Sequence, residues 1–400
     1  MRSNKTRKFP ADSQIIFRKN GALYLPFLLL LSIFCVLIFH LPKPTPPQFI
    51  MSSDNASAAT TIATPQPQFN YHILPQPQFL LAAHSATVTV LPNGHLLALW
   101  FAGSHEGKAD VKIWQSQFDG DKWSMAKIAV SPMMIAKATH RYIKKVGNPV
   151  VYLASNGVLH LFVVSVSVGG WSGSSLNHFI SRDQGNTWID GKKIVLSPLL
   201  NLSTLVRTNA ITLSDGGFYL PVYHELMRTY PEILRFDKDG NFIEQIRLTN
   251  HNTLLQPTLL PLNSTNALAY MRNNGRENNL LYYQQTQNGG STWGNIIPTN
   301  LTNPDSSLVV GRIKESQYIM VHNLKNREQL SLAVSSDGKQ WRDIYLLENS
   351  KNTEFSYPAL QIHDGIIDIL YTWKRLNIKH VRFNQSWLEK QILHGAANAG

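Results

Sequence analysis

The octet SRDQGNTW occupies residues 181–188, and its chemistry is that of a self-closing turn ending in a plug. The aspartate can accept from turn amides, the glycine supplies a positive φ, and the tryptophan is large enough to fill the space between neighbouring sheets. The pattern returns as TQNGGSTW at 286–293 and, shortened, as SSDGKQW at 335–341. Weaker copies are SQFDGDKW at 116–123 and RFDKDGNF at 235–242. A spacing of roughly 50 to 65 residues with several strands per period is the signature of propeller blades. The reading makes Asp183, Asp337 and their tryptophan partners structural, with no part in catalysis.

Working outward, the chain from Leu80 onward consists of short runs rich in Val, Ile, Tyr, Phe and Trp, broken by Gly, Asn, Asp or Pro. ATVTVLPNGHLLALWF, VVYLASNGVLHLFVVSV, AITLSDGGFYLPVYHE and ALQIHDGIIDILYTW each read strand, polar turn, strand. No long segment has helical periodicity, so the sequence predicts an all-β chain: a six-bladed β-propeller over residues 80–395.

The N-terminal part is of another kind. Residues 21–41 begin with the uncharged run GALYLPFLLLLSIFCVLIF, about the length needed to cross a bilayer as a helix. Six basic residues and only Asp12 precede it, so the reading is a transmembrane signal anchor behind a cytosolic basic tail at 1–20. The rest of the chain is then expected on the extracytoplasmic side, which is the periplasm in a bacterium. Residues 42–79 hold eight prolines and two copies of PQPQF, and are expected to form an extended linker.

Of the 400 residues, 43% are hydrophobic and 16% charged, which suits a packed domain and excludes a disordered chain. The formal charge of +12 is concentrated: residues 1–43 hold seven basic groups against one acidic, leaving 30 against 24 beyond. That remainder suits an acidic ligand and is too dilute for nucleic acid. A single cysteine, Cys35, excludes a disulfide framework, and the 14 histidines show no metal-ligand spacing. Neither a metal nor another cofactor is expected.

The ordered landmarks HSATVTVLPNGHLLALWF, GSHEGKAD, GGWSGSS, the octet, LPVYHE, LQPTLLPL with Met271-Arg272, NREQLSLAVSSDG, EFSYPAL and YTWKR resemble the sialidase superfamily, within it the BNR-repeat, sialidase-like proteins. The resemblance implies a hydrolase of terminal, acidic sugars of glycans. In such enzymes a tyrosine, activated by a carboxylate, attacks an anomeric carbon whose own carboxylate would repel an acidic nucleophile. Arginines clamp that carboxylate, and a loop carboxylic acid protonates the leaving group.

By this resemblance Tyr357 matches the nucleophile, Arg272 and Arg327 match two of the clamping arginines, and Glu106 or Asp110 in the GSHEGKAD loop could be the acid. Three positions depart. His84 stands near the place of the first arginine, Thr372-Trp373 replaces the glutamate that would support it, and Gln256 stands where the activating glutamate belongs. An amide cannot take a proton from a phenol. Glu225 or Glu354 could substitute as base, and Arg207 or Arg375 could supply a third guanidinium. Trp171 could stack on a sugar or plug a blade edge, and Gln256 could bind a sugar hydroxyl. Two other readings stay open: a glycan-binding propeller without turnover, and a lyase acting on uronate-containing glycans.

Overall fold

Strand and turn alternate as the sequence predicts, and the strands assemble into six antiparallel sheets. The computed structural model describes residues 46–51, 65–197, 201–275 and 278–397, with Leu30 and Ser32 besides. The first strand, β1 (Phe69–Ile73), belongs to the last blade. Blade 1 is β2 (Ala82–Val90), β3 (Leu96–Gly103), β4 (Lys112–Phe118) and β5 (Lys127–Val130). Blade 2 is β6 (Lys145–Leu153), β7 (Leu159–Val166), β8 (Ser174–Ser181) and β9 (Ile189–Lys193). Blade 3 has a broken inner strand, β10 (Leu205–Val206) and β11 (Ile211–Thr212), followed by β12 (Phe218–His224), β13 (Tyr230–Phe236) and β14 (Phe242–Arg247).

Blade 4 is β15 (Leu254–Pro261), β16 (Ala267–Asn273), β17 (Leu280–Thr286) and β18 (Ile297–Thr302). Blade 5 is β19 (Val309–Lys314), β20 (Gln317–Asn323), β21 (Gln329–Ser335) and β22 (Arg342–Asn349). Blade 6 is β23 (Phe355–His363), β24 (Ile366–Trp373) and β25 (Asn377–Asn384), completed by β1, which pairs antiparallel with β25. Successive blades adjoin around an axis, through their inner strands except that blade 3 meets β15 through β12, and β23 adjoins β2 to close the ring.

Closure by β1 corrects the expected linker. Residues 69–73 lie within the span 42–79, yet they form a strand whose Phe69 packs on Phe383 and on Trp387, with centroids 6.1 and 4.6 Å away. Part of its start is also fixed: Phe49 is buried among Leu213, Tyr219, Ile233 and Leu259, its amide donates to Ser264, and Ser214 donates to the Gln48 carbonyl. Among the described residues 46–397, two α-helices interrupt the all-β pattern. Helix α1 (Pro132–Thr139) starts behind an Ser131 cap with proline at its first turn, and α2 (Gln385–Ala397) seats Trp387 against blade 6. The predicted anchor at 21–41 lies outside the described residues apart from Leu30 and Ser32. Among the described residues no helix is long and apolar enough to cross a membrane.

The core is a set of seams between blades. Leu97, Leu99 and Ile113 of blade 1 meet Leu161, Phe179 and Trp188 of blade 2 in one cluster. The octet works there as its chemistry requires. Asp183 accepts from the Thr187 amide and hydroxyl at 2.9 and 2.7 Å, which holds its carboxyl down to about 2. Ser181 accepts from the Gly185 amide, and the Trp188 indole reaches across the seam to Gln115 at 2.7 Å. In blade 4 Asn288 takes the aspartate's place and accepts from the Thr292 amide.

Candidate active site

At the other end of the blades, the inner strands are deformed in a common way. Ser85, Asn148, Gln256 and Tyr357 all have positive φ, between 34° and 58°, each at a shift in the register of its strand. Three of the four precede a proline: Pro149, Pro257 and Pro358. A proline has no amide to give the ladder, so the pairing breaks there and the bulge turns the preceding side chain out of the sheet toward the axis.

Tyr357 and Gln256 are brought together by these bulges. The Tyr357 hydroxyl accepts from Arg272 Nη1 at 3.2 Å, and the same nitrogen lies 3.3 Å from Gln256 Oε1. Gln256 Nε2 donates to the Tyr223 hydroxyl at 3.1 Å. Arg272 is fixed from behind by Asp305, 2.7 Å from Nε. Arg327 donates to Glu354 Oε1 at 3.2 Å and to the Asp305 carbonyl at 2.8 Å, and its guanidinium carbon lies 5.7 Å from the Tyr357 ring centre. Arg375 arrives from the turn after β24, with Nε on Glu354 at 2.6 Å and Nη1 on Glu106 at 2.7 Å.

Glu354 therefore serves two arginines. Burial alone would raise its pKa, but Arg375 and the Ser356 hydroxyl hold it down to about 2. This carboxylate is a brace, and not the base that its closeness to Tyr357 in sequence suggests. Glu225 differs, since burial pushes its carboxyl above the ordinary value against the pull of Arg272. Burial, and then the charge of Glu225, also raise the pKa of the Tyr223 phenol.

The other candidates are placed as follows. Arg207 is buried and donates to two main-chain carbonyls, Ala86 at 3.1 Å and Pro358 at 2.8 Å, each just past a bulge. Burial lowers its pKa to about 10. It ties the first and last inner strands together instead of offering these nitrogens to a ligand. His84 is buried with its ring 4.3 Å from that of Tyr357, and burial, then Arg375, Arg207 and Arg327, keep its pKa well below the ordinary value. It is a neutral wall of the site.

Asp110 accepts from the Ser104 amide and hydroxyl at 2.8 and 2.9 Å, pinning the ends of its own loop. It is Glu106 that this loop presents to the cluster. Trp171 lies in the short helix Trp171–Gly173, half-buried, where a Cβ on Gly147 would come within 2.7 Å of its ring. Lys145 Nζ sits 4.0 Å from the ring centre, so a cation and not a sugar covers one face. Tyr223 and Asp305 were missed from the sequence. Tyr223 had a signal: it is two residues before Glu225, so alternation puts both on one face. Among the described residues no group of three or more His, Cys, Asp or Glu side chains is placed to hold a metal ion.

Residues 94–369 match the BNR repeat-like domain. The chain belongs to the BNR repeat-like family. Its fold is that of the sialidase-like superfamily. A protein of unknown function from Dyadobacter fermentans superposes with a TM-score of 0.65 at 11% identity, covering 80% of this chain and all of that one. A Hadza microbial sialidase, Hz136, gives 0.61 at 17% identity over 76% of this chain and 65% of its own, so the family member described here spans just under two thirds of that enzyme. The leech intramolecular trans-sialidase, solved with 2,7-anhydro-Neu5Ac, gives 0.64 at 13% identity over 82% of this chain and 72% of its own. No curated protein matches in sequence.

Proposed function

We propose that this BNR-repeat propeller cleaves terminal glycosidic bonds of glycans whose end sugar carries a carboxylate. The observation that carries the reading is the single Nη1 of Arg272 shared by Tyr357 and Gln256, in a cluster where Arg272, Arg327 and Arg375 are each gripped from behind by a carboxylate. Guanidinium groups oriented in this way match a planar carboxylate. Tyr357 attacks the anomeric carbon while Arg272 holds a cationic N–H on the oxygen whose charge is changing. Glu106 protonates the departing oxygen, and Glu225, whose pKa burial raises, receives the phenolic proton. Membrane anchoring through residues 21–41, with the propeller outside the cytoplasm, belongs to the same proposal. Carbonate extraction of membranes checks it: release of the chain into the supernatant counts against an anchor.

The test is fluorescence release from 4-methylumbelliferyl sialic acid by the full chain, beside a panel of uronate-containing glycans. Tyr357→Phe removes only the nucleophilic oxygen, so turnover should fall at least about a thousandfold while ligand binding holds within about threefold. Full activity in that variant overturns the mechanism. One observation favours a second reading, a glycan-binding propeller: Gln256 bonds both Arg272 and Tyr223, and no carboxylate bonds the Tyr357 hydroxyl among the described residues. Saturable binding with no product after long incubation selects it.

A further inference from the structure

Arg375 is paired twice. Glu354, which it shares with Arg327, holds it from within the ring at 2.6 Å, and Glu106 reaches it at 2.7 Å from the side of the loop over the mouth. The Arg375–Glu106 pair links blade 1 to blade 6, with side chains 38% and 29% exposed. An ion pair that open contributes little to stability.

The loop is held by bonds of its own and by the pair together. Asp110 binds Ser104 at both oxygens, the Lys108 amide donates to His105, and Gly107 takes φ +79° at the tip. A second cation lies beside it. Lys145 is against the Gly107 position, 3.8 Å from where a Cβ would stand, and burial lowers its pKa against the opposing pull of Glu106. Behind the pair is a cavity of about 50 Å³ lined by Ala83, His84, Phe101, His105 and Val111 together with Glu106 and Arg375.

We infer that Glu106 is a stand-in for the ligand: it pairs with Arg375 as an acidic sugar's carboxylate does, and the sugar binds by displacing it toward Lys145. The inference rests on the acidic-glycan reading and deepens it. It makes Arg375 the third clamping guanidinium and frees Glu106 from an ion pair in which it holds no proton, so that it takes one from solvent and gives it to the leaving group only after a carboxylate has arrived. A sugar without a carboxylate cannot compete for Arg375 and leaves the acid parked. Selection then precedes chemistry.

The experiment is calorimetric titration of the full chain and of Glu106→Gln with N-acetylneuraminic acid and with its methyl ester, which has no charge to exchange. The variant should bind the free acid about three- to tenfold more tightly, as removal of an exposed competing carboxylate implies, and the ester with unchanged affinity. Turnover by the same variant should fall, splitting KM from kcat. Hydrogen exchange at amides 104–110 should quicken when the acid binds the native chain and stay constant in Glu106→Gln. Weaker or equal acid binding by the variant, or a loop that becomes more protected on binding, overturns the stand-in and leaves the acidic-glycan reading intact. If neither form binds sialic, glucuronic or galacturonic acid, both fall.

Discussion

Gln256 is an amide at the centre of a cluster otherwise built from charges and phenols, and its neighbours have adapted to it. Its oxygen accepts from Arg272 and its nitrogen donates to Tyr223, so each end of the amide has a partner of the right sense. Gln256→Glu turns the nitrogen into an acceptor, which Tyr223 can satisfy by donating instead. The new carboxylate faces the same Arg272 nitrogen that holds Tyr357. We expect kcat to rise about tenfold, the low end for adding a positioned base, with an acidic limb appearing in the pH–rate profile. An unchanged profile would place the base elsewhere. Glu354→Gln loosens Arg327 and Arg375 together, so KM for an acidic substrate should rise about tenfold with a smaller loss in kcat. Because the Glu354 pKa is lowered to about 2 from 4.5, its bracing is complete above pH 4.5 and is lost as pH falls toward 2. Binding measured down a pH series in the native chain should follow that course.

The elements differ in how much of them the sequence discloses. The octet turns are legible because each is closed by its own residues, as Asp183 with Thr187 or Asp337 with the Lys339 and Gln340 amides. The bulges are half legible: Pro149, Pro257 and Pro358 mark where pairing must break, but Ser85 bulges with no proline to announce it. Arg207 was illegible, since its acceptors Ala86 and Pro358 are 121 and 151 residues away and meet it only when the ring closes. Glu354 misled for the same reason, as its partners Arg327 and Arg375 lie on two other hairpins. One glycine separates the blade 4 turn from its relatives. Gly289 has φ +66° and a Cβ there would lie 1.5 Å from the Pro47 carbonyl oxygen, whereas the equivalent Gln184 of blade 2 carries a side chain. Gly289→Ala should therefore expel the segment around Phe49 and cost about 2–4 kcal/mol, read by urea unfolding. Retained stability would mean that Pro47 can shift without loss.

For the whole molecule, a buried carboxylate of the last blade lies beside its seam with the first: Asp368 accepts from His380 at 2.7 Å, His363 at 3.1 Å and Arg382 at 3.0 Å. The Trp123 indole of blade 1 donates to the other ring nitrogen of His380 at 3.1 Å, so the tautomer is fixed and the two blades are joined through one imidazole. Burial would raise the Asp368 pKa, but the histidines and Arg382 bring it down from 3.8 to about 2. Its contribution to stability is thus whole above pH 3.8 and fades as pH falls toward 2. Asp368→Asn should cost about 3–5 kcal/mol at neutral pH and flatten that acid-dependent part of the unfolding curve. A variant as stable as the native chain would show that the seam is held by apolar packing alone.

Phe49 also determines how the molecule bears tension. The segment around it enters the seam of blades 3 and 4 before the chain travels on to supply β1 to blade 6. A pull applied on the N-terminal side meets first the Phe49 and Ile50 amides, bonded to Ser264 and Thr212, and the buried Phe49 ring. Only after that plug is drawn does load reach Phe69, the start of the strand that completes the ring. The clasp of the propeller is therefore shielded by a mechanical fuse two blades away, and single-molecule extension should record loss of the Phe49 contacts as a small, separate step ahead of the opening of blade 6.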